Sequence, residues 1–183
     1  DFDEMLDDDS INVIYVATPS GTHLDFAEKA ASARKHVITT KPMETTVDRC
    51  ERIIKVCESS DVQLIVDFPM RYVPQLQQWK AALSQGEFGD IVFAEARLTW
   101  WRSQEYYDVR GGWRGTWRMD GGGSLTNQGI HAVDAFVWLC GDPVEVIAAR
   151  SDVLNHNIET EDFTTAILKL SNGNPGVVTT TTC

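Results

Sequence analysis

At 183 residues the chain has room for one domain or two small ones and for a real hydrophobic core. Its formal charge of -11 argues against nucleic acid or an anionic membrane as partner, since binding to either rests on cationic side chains neutralising phosphate, and leaves a small molecule as the ligand. No apolar run is long enough to cross a bilayer, and because the chain opens at Asp1 rather than at a methionine its start carries no targeting information.

After the acidic opening "DFDEMLDDDS", the run "INVIYVATP" is short, apolar and rich in β-branched residues, as expected of a strand buried on both faces. "SGTHLDFAEKAASARK" follows with Leu24, Ala27, Ala30 and Ala31 at helical spacing, and "HVITTKP" reads as a second buried strand. "TTVDRCERIIKVCESSD" sets Val47, Cys50, Ile53, Ile54 and Cys57 on one helical face, with Thr45 and Asp48 in a capping arrangement, before "VQLIVDF" supplies a third strand. Strand, helix, strand, helix, strand with short connections is the pattern of a parallel α/β sheet with right-handed crossovers. Ligands of such sheets bind beyond the C-terminal strand ends, where Thr18, Pro19, Lys41 and Pro42 fall.

The pattern then changes to α+β. "PQLQQWKAALSQGEFG" is a helix with Leu76, Trp79 and Leu83 on its apolar side, and "DIVFAEARLTWW" alternates as a one-sided strand exposing Glu95, Arg97 and Thr99. A loop rich in Trp, Arg and Gly leads to "SLTNQGIHAVDAFVWLCGDP", a helix stopped by Gly141 and Pro143. "VEVIAARSDV", "EDFTTAILKLSNG" and "PGVVTTTTC" are successive strands. The cysteines show neither zinc nor disulfide spacing: Cys50 and Cys57 are seven apart in a helical pattern, and Cys140 and Cys183 are remote, so they read as reduced core thiols of a cytoplasmic protein.

Lys41 precedes a proline, which biases it to extended backbone and makes a cis bond accessible. Taken alone it reads as a solvated turn lysine; partly desolvated at a sheet edge, it is a group able to exchange protons near neutrality. Asn127 and His131 are four apart and share a helix face, with Asp134 three further on; a lone histidine there is usually a satisfied core group. The preceding glycines let another molecule approach the backbone, Ser124 suits an N-cap, and a helix start attracts anions. The loop sets Arg102, Arg110, Arg114 and Arg118 among Trp100, Trp101, Trp113, Trp117, Tyr106 and Tyr107. It suits a planar or anionic ligand, or else a packed contact between domains or subunits.

Taken together, "VIYVATPSGTH", "KHVITTKP", "MRYVP" and "WRGTWRMDGGGSLTNQGIHAVD" resemble, in order and spacing, the glucose-fructose oxidoreductase/inositol dehydrogenase (Gfo/Idh/MocA) family of nicotinamide-dependent sugar and polyol dehydrogenases. The resemblance implies the second half of a Rossmann parallel sheet in residues 1–70, followed in residues 71–183 by part of an α+β domain with an open, mostly antiparallel sheet that mediates homo-oligomer contacts. It also implies a fragment lacking the first βαβ unit and the C-terminal part, inactive by itself. Lys41 matches the lysine of the family's E-K-P motif, His131 the proposed acid/base, and Asn127 a position where many members carry aspartate. Thr18, Pro19 and His23 match the cofactor-lining loop, together with Pro42, and Arg71 matches the arginine of the segment leaving the Rossmann part. Thr40 departs from the motif's glutamate, and Arg34 stands where a glycine is usual.

The expected activity is hydride transfer between NAD or NADP and a hydroxyl carbon of a sugar, polyol or nucleotide sugar. Lys41, His131 and Asn127 are its catalytic set, and Trp113 and Arg114 help to hold the substrate; no metal is expected. The alternative is a non-catalytic ligand-binding or regulatory protein on the same scaffold. The residues that choose between NAD and NADP lie outside this sequence.

Overall fold

The computed structural model describes residues 1–109 and 111–183. These divide into two compact units, one of residues 1–67 and 116–121, the other of residues 68–115 and 122–183.

The first unit is a parallel sheet in the order β1 (Val13–Val16), β2 (His36–Thr40), β3 (Leu64–Asp67), with helices α2 (His23–Ser32) and α3 (Val47–Ser59) in the connections. The helical face read from sequence is the buried one: Leu24, Ala27, Ala30 and Ala31 pack with Ile14, Val16, Val37, Ile53 and Cys57. The alanines let helix and sheet approach closely, which is how so short a helix closes a core. The expectation that β1 is buried on both faces is corrected, because Val13 and Tyr15 are about half exposed while Ile14 and Val16 are buried. Apolar continuity had suggested two covers, and the core lies against one. The acidic opening, read without structure, forms a short helix, α1 (Phe2–Asp7), started by an Asp1/Glu4 capping box and anchored by Phe2 edge-on to Phe26 at 4.8 Å. The cap of α3 is Thr46 and not Thr45: its side chain accepts from Arg49 N, whereas the Thr45 hydroxyl donates to Glu44 at 2.9 Å. Arg34 does adopt a left-handed conformation, φ 60°.

The second unit contains α4 (Pro74–Ser84), β4 (Ala94–Thr99), α5 (Gln104–Asp108), a π-turn over Ser124–Gln128, α6 (Ile130–Cys140), β5 (Pro143–Asp152), β6 (Phe163–Leu170) and β7 (Pro175–Thr181). Its sheet runs β4-β7-β6-β5; β4 and β7 are parallel and the other pairs antiparallel, as the mostly antiparallel reading requires. Ala94, Phe136, Leu168, Leu170 and Val178 form its core, and along β4 the outward residues Glu95, Arg97 and Thr99 alternate with Ala94, Ala96 and Leu98. No helix among the described residues is long and apolar enough to cross a membrane. Cys50 and Cys140 are half-buried and Cys57 buried, but Cys183 is exposed, which corrects its reading as a core thiol.

The segment Thr116–Gly121, expected within the 71–183 domain, packs in the first unit. Gly21 N donates to Met119 O at 2.9 Å, and a side chain at Gly21 would meet the Arg118 carbonyl oxygen. Gly121, at φ +78°, leaves no room either: a Cβ there would lie 2.5 Å from Thr45 Cα. In the second unit the carboxylate of Asp162, fully buried, accepts the amides of Leu154, Asn155 and His156 at 2.7 to 2.9 Å and faces His156 Nδ1 at 2.9 Å. Burial alone would push this carboxyl up, but those hydrogen bonds outweigh it and hold it at about 2, below its ordinary 3.8.

Two outcomes follow. Gly121→Ala lowers stability by more than the about 1 kcal/mol of its left-handed backbone alone, read from denaturant unfolding. For Asp162 the folded pKa is the depressed one, so its contribution of about 2 kcal/mol is complete above pH 3.8 and is lost as pH falls toward 2. Stability measured across that window drops in the native protein, and Asp162→Asn is already destabilised at pH 7 and shows a flatter slope.

Candidate functional site

In the first unit the C-terminal strand ends carry the expected residues. Thr18 is exposed and Pro19 half-buried after β1; the Thr22 hydroxyl bridges Pro19 O at 2.7 Å and Thr18 Oγ1 at 2.8 Å, donating to one and accepting from the other. Lys41 is half-buried after β2, and its bond to the buried Pro42 is cis. His23, read by resemblance as lining the cofactor, is fully buried, with Nε2 2.9 Å from Thr18 O and Nδ1 3.0 Å from Met43 O. Its ring therefore staples the loop after β1 to the one after β2 and has no surface left for a ligand. Thr40, the departure from the motif, sets its hydroxyl 3.5 Å from His23 Nε2.

Glu44, not singled out in the sequence, completes this edge. Its buried carboxylate accepts from Leu24 N, Thr45 N, the Thr45 hydroxyl and Arg49 Nη2, the last at 2.8 Å. Burial pushes the carboxyl up, yet the bonds from Arg49, Thr45 and Leu24 prevail and keep it below the ordinary range. Glu44 thus fixes the turn that follows Lys41 to the first turn of α2. Nothing in "KPMETT" distinguishes it from a solvated loop glutamate.

In the second unit the helix expected over residues 124–140 is broken. Its start is a π-turn, in which Gly129 N reaches back five residues to Ser124 O at 2.6 Å, and α6 begins only at Ile130. Asn127, buried, lies on the π-turn and His131, half-buried, on the first turn of α6. Ser124 is not the N-cap: its hydroxyl lies 3.1 Å from Thr180 Oγ1, and Gly123 takes the cap position. Nor is the turn start an anion site. Glu161 already fills it, its carboxylate accepting from Gly123 N at 2.9 Å and Leu125 N at 2.8 Å.

Arg71 makes a forked pair with Asp134, with Nη2 2.6 Å and Nε 3.0 to 3.1 Å from the carboxylate oxygens, and this pair raises its pKa further. Within its unit Arg71 is thus engaged by Asp134 of α6, three residues from His131, with its side chain still 45% exposed. The Arg/Trp loop is also partly self-engaged: Arg102 stacks on Trp100 and Tyr106 at 5.2 and 5.1 Å, and Arg114 on Tyr106 and Trp113 at 4.8 and 4.6 Å. Tyr107 is buried with its hydroxyl 2.8 Å from Thr182 Oγ1, a core role. Trp100, Trp101 and Trp117 remain exposed, and Thr99, Trp100, Trp101 and Arg102 line a shallow concavity of about 350 Å³. Arg110 lies outside the described residues. Ligand-type atoms of His156, Asp162 and Cys183 come within 4.8 Å of one another, but the Asp162 carboxylate is already occupied by three amides and His156 Nε2 faces Arg102 O.

Comparison with known proteins agrees with this architecture. A family described as an oxidoreductase family with an NAD-binding Rossmann fold matches residues 1–68, and the GFO/IDH/MocA C-terminal domain matches residues 76–183. The chain superposes with a TM-score of 0.92 and 38% identity on the WlbA dehydrogenase from Bordetella pertussis, solved with NADH and UDP-GlcNAcA, covering 100% of this chain and 52% of that one. The aldose-aldose oxidoreductase of Caulobacter crescentus gives a TM-score of 0.87 at 26% identity, covering 99% of this chain and 53% of that one. Among curated relatives, the D-xylose 1-dehydrogenase [NADP(+)] of Haloarcula marismortui is 29% identical over 84% of this chain and 43% of its own length. The chain thus spans about half the length of these relatives. The chain belongs to the GFO/IDH/MocA oxidoreductase family, with its NAD-binding Rossmann part in residues 1–68 and its C-terminal domain in residues 76–183.

Proposed function

We propose that the intact protein is an NAD- or NADP-dependent dehydrogenase that moves hydride between the nicotinamide and a hydroxyl carbon of a sugar, with a nucleotide sugar bearing a carboxylate as the favoured substrate class. The observation that carries this reading is the Lys41 turn, pinned by His23 on one side and Glu44 on the other at the C-terminal edge of a parallel sheet, in a chain that also retains Asn127 and His131. Exposed Thr18 and half-buried Pro19 and Lys41 at that edge fit a dinucleotide, because the crevice beyond the strand ends is where such sheets bind one. The nicotinamide supplies the hydride acceptor or donor.

The protein's own groups do the rest. In the oxidation direction, His131 removes the proton from the substrate hydroxyl as hydride leaves the carbon, and the Lys41 ammonium stabilises the charge developing on oxygen. Asn127 orients the reacting hydroxyl. The substrate class follows from the 38% identity to a dehydrogenase solved with UDP-GlcNAcA, and from the arginines and tryptophans of the loop, with half-buried Trp113 and Arg114 among them. Guanidinium groups suit pyrophosphate or carboxylate, and indole faces suit a sugar or base. The free cysteines suit a cytoplasmic setting.

We also read the open face of the second unit's sheet as a contact with a second copy of the chain. Ala148, Arg150, Thr165 and Ile167 line a shallow outward concavity of about 230 Å³ there, and Ile167 is 45% exposed.

With full-length protein, nicotinamide reduction against UDP-GlcNAcA and against D-xylose tests the substrate class: kcat/KM for the nucleotide sugar acid is expected to be higher by roughly 10-fold or more, about 1.4 kcal/mol in transition-state binding. Lys41→Ala and His131→Ala each lower kcat by roughly 10²–10⁴-fold; unchanged turnover in either removes that residue from the mechanism, and nicotinamide binding without turnover in the native protein favours a binding protein instead. Ile167→Glu shifts the mass measured by light scattering toward the monomer, and an unchanged mass excludes that face.

A further inference from the structure

Gln128 lies among groups whose hydrogen-bonding chemistry permits one arrangement. The Arg102 guanidinium can only donate, and its Nη2 is 3.0 Å from Gln128 Oε1. With its oxygen turned to Arg102, Gln128 points its Nε2 the other way, 2.7 Å from Tyr106 Oη and 3.4 Å from Asn127 Oδ1. That nitrogen is a donor alone, so whatever faces it must accept. Asn127 therefore gives Gln128 its oxygen, which turns its amide N–H pair away from Gln128.

The relay is anchored at every member. Asn127 and Gln128 are 7% and 8% exposed, Arg102 is held between the rings of Trp100 and Tyr106, and the Arg102 carbonyl faces His156 Nε2 at 2.8 Å. Arg102 Nε is buried and has no hydrogen-bond partner among the described residues, which is unfavourable for a donor withdrawn from water. An arginine placed for packing alone has a cheaper position in solvent, with its stem on the aromatic rings.

We propose that Arg102 and Gln128 are positioning residues that lock the Asn127 amide with its oxygen toward Gln128, so that Asn127 meets the substrate oxygen as an N–H donor. The inference rests on Asn127 being a site residue, as argued above, and assigns its polarity. A donor stabilises the negative charge that builds on that oxygen as its proton passes to His131, before hydride departure turns the alkoxide into a carbonyl, and in the reverse direction it polarises the carbonyl. An aspartate in the same place can only accept, so the two residues present opposite polarity to the substrate. Arg102 and Gln128 make the asparagine's choice for it.

The test is Gln128→Glu in the full-length protein. Glutamate keeps the size of the side chain and the partner of Arg102, and Tyr106 can rotate its hydroxyl to donate, but an oxygen now faces Asn127 and the amide must turn over. In protein labelled with 15N-asparagine, with Asn127 assigned through Asn127→Asp, its side-chain amide resonance is expected to move downfield in Gln128→Glu, since the N–H then donates to a carboxylate. An unmoved resonance overturns the proposal whatever the activity. With UDP-GlcNAcA, kcat is expected to fall roughly 10²-fold, with the KM for nicotinamide unchanged, and the same change in an Asn127→Ala background is expected to do nothing further. An equal loss in both backgrounds, or a resonance that moves with no loss in kcat, would show that the relay is structural and overturn its role in the reaction. Absence of dehydrogenase activity in the native protein sinks the functional reading and the role in reaction together, leaving the amide orientation to be decided by the resonance alone.

Discussion

The carboxylate of Asp162, withdrawn from water and accepting three successive backbone amides, is the contact on which the second unit's geometry rests. Its main chain is equally committed: Asp162 O accepts from Thr182 N at 2.9 Å and from the Thr181 hydroxyl at 3.0 Å, so the loop before β6 is fastened to the end of β7. From there Arg102 N reaches Thr182 O and His156 reaches Arg102 O, and the arginine that leads to Gln128 and Asn127 is placed by both. A charged group suits this task because its several lone pairs serve donors arriving from one curved stretch of backbone, which a neutral amide oxygen cannot do at equal strength.

The first unit solves the same problem in the same way. Glu44 is buried beside the Lys41 turn and organises amides from that turn and from the start of α2, with Arg49 as countercharge. In each unit a buried carboxylate committed to hydrogen bonds sets backbone that supports a group proposed to act on substrate. Rigid support of this kind is what lets a lysine or an amide hold one orientation without help from a ligand.

Much of this architecture was legible in the sequence where the signal is periodic. The alanine face of α2 and the run of three strands state a parallel sheet, and alternation along β4 states a one-sided sheet. What escaped was decided by contacts remote in sequence or by a choice between chemical equals. Helix α1 is too short to show a period and is held by Phe2 on Phe26. Thr45 and Thr46 are the same residue type, and the cap falls to Thr46 because Glu44 engages the other hydroxyl. The π-turn depends on Glu161, more than thirty residues away, filling the amides that an anion was expected to take. Lys41 was found because proline marks its turn; His23 was found too, but only packing shows that it faces inward. Arg102 and Gln128 are 26 residues apart, and no local pattern connects them.

The return of Thr116–Gly121 to the first unit gives the chain a modular structure unlike its order of domains. A recombinant exchange of the C-terminal domain between relatives, cut once near residue 68, would carry a foreign copy of this segment onto Gly21 and Thr45, where main chain meets main chain without side chains between. A chimera that respects the fold has junctions at 67/68, 115/116 and 121/122, with the short middle piece inherited from the same parent as the Rossmann part. Homologous variation in those six residues is thus expected to follow the sequence of the first unit, although they are encoded within the second.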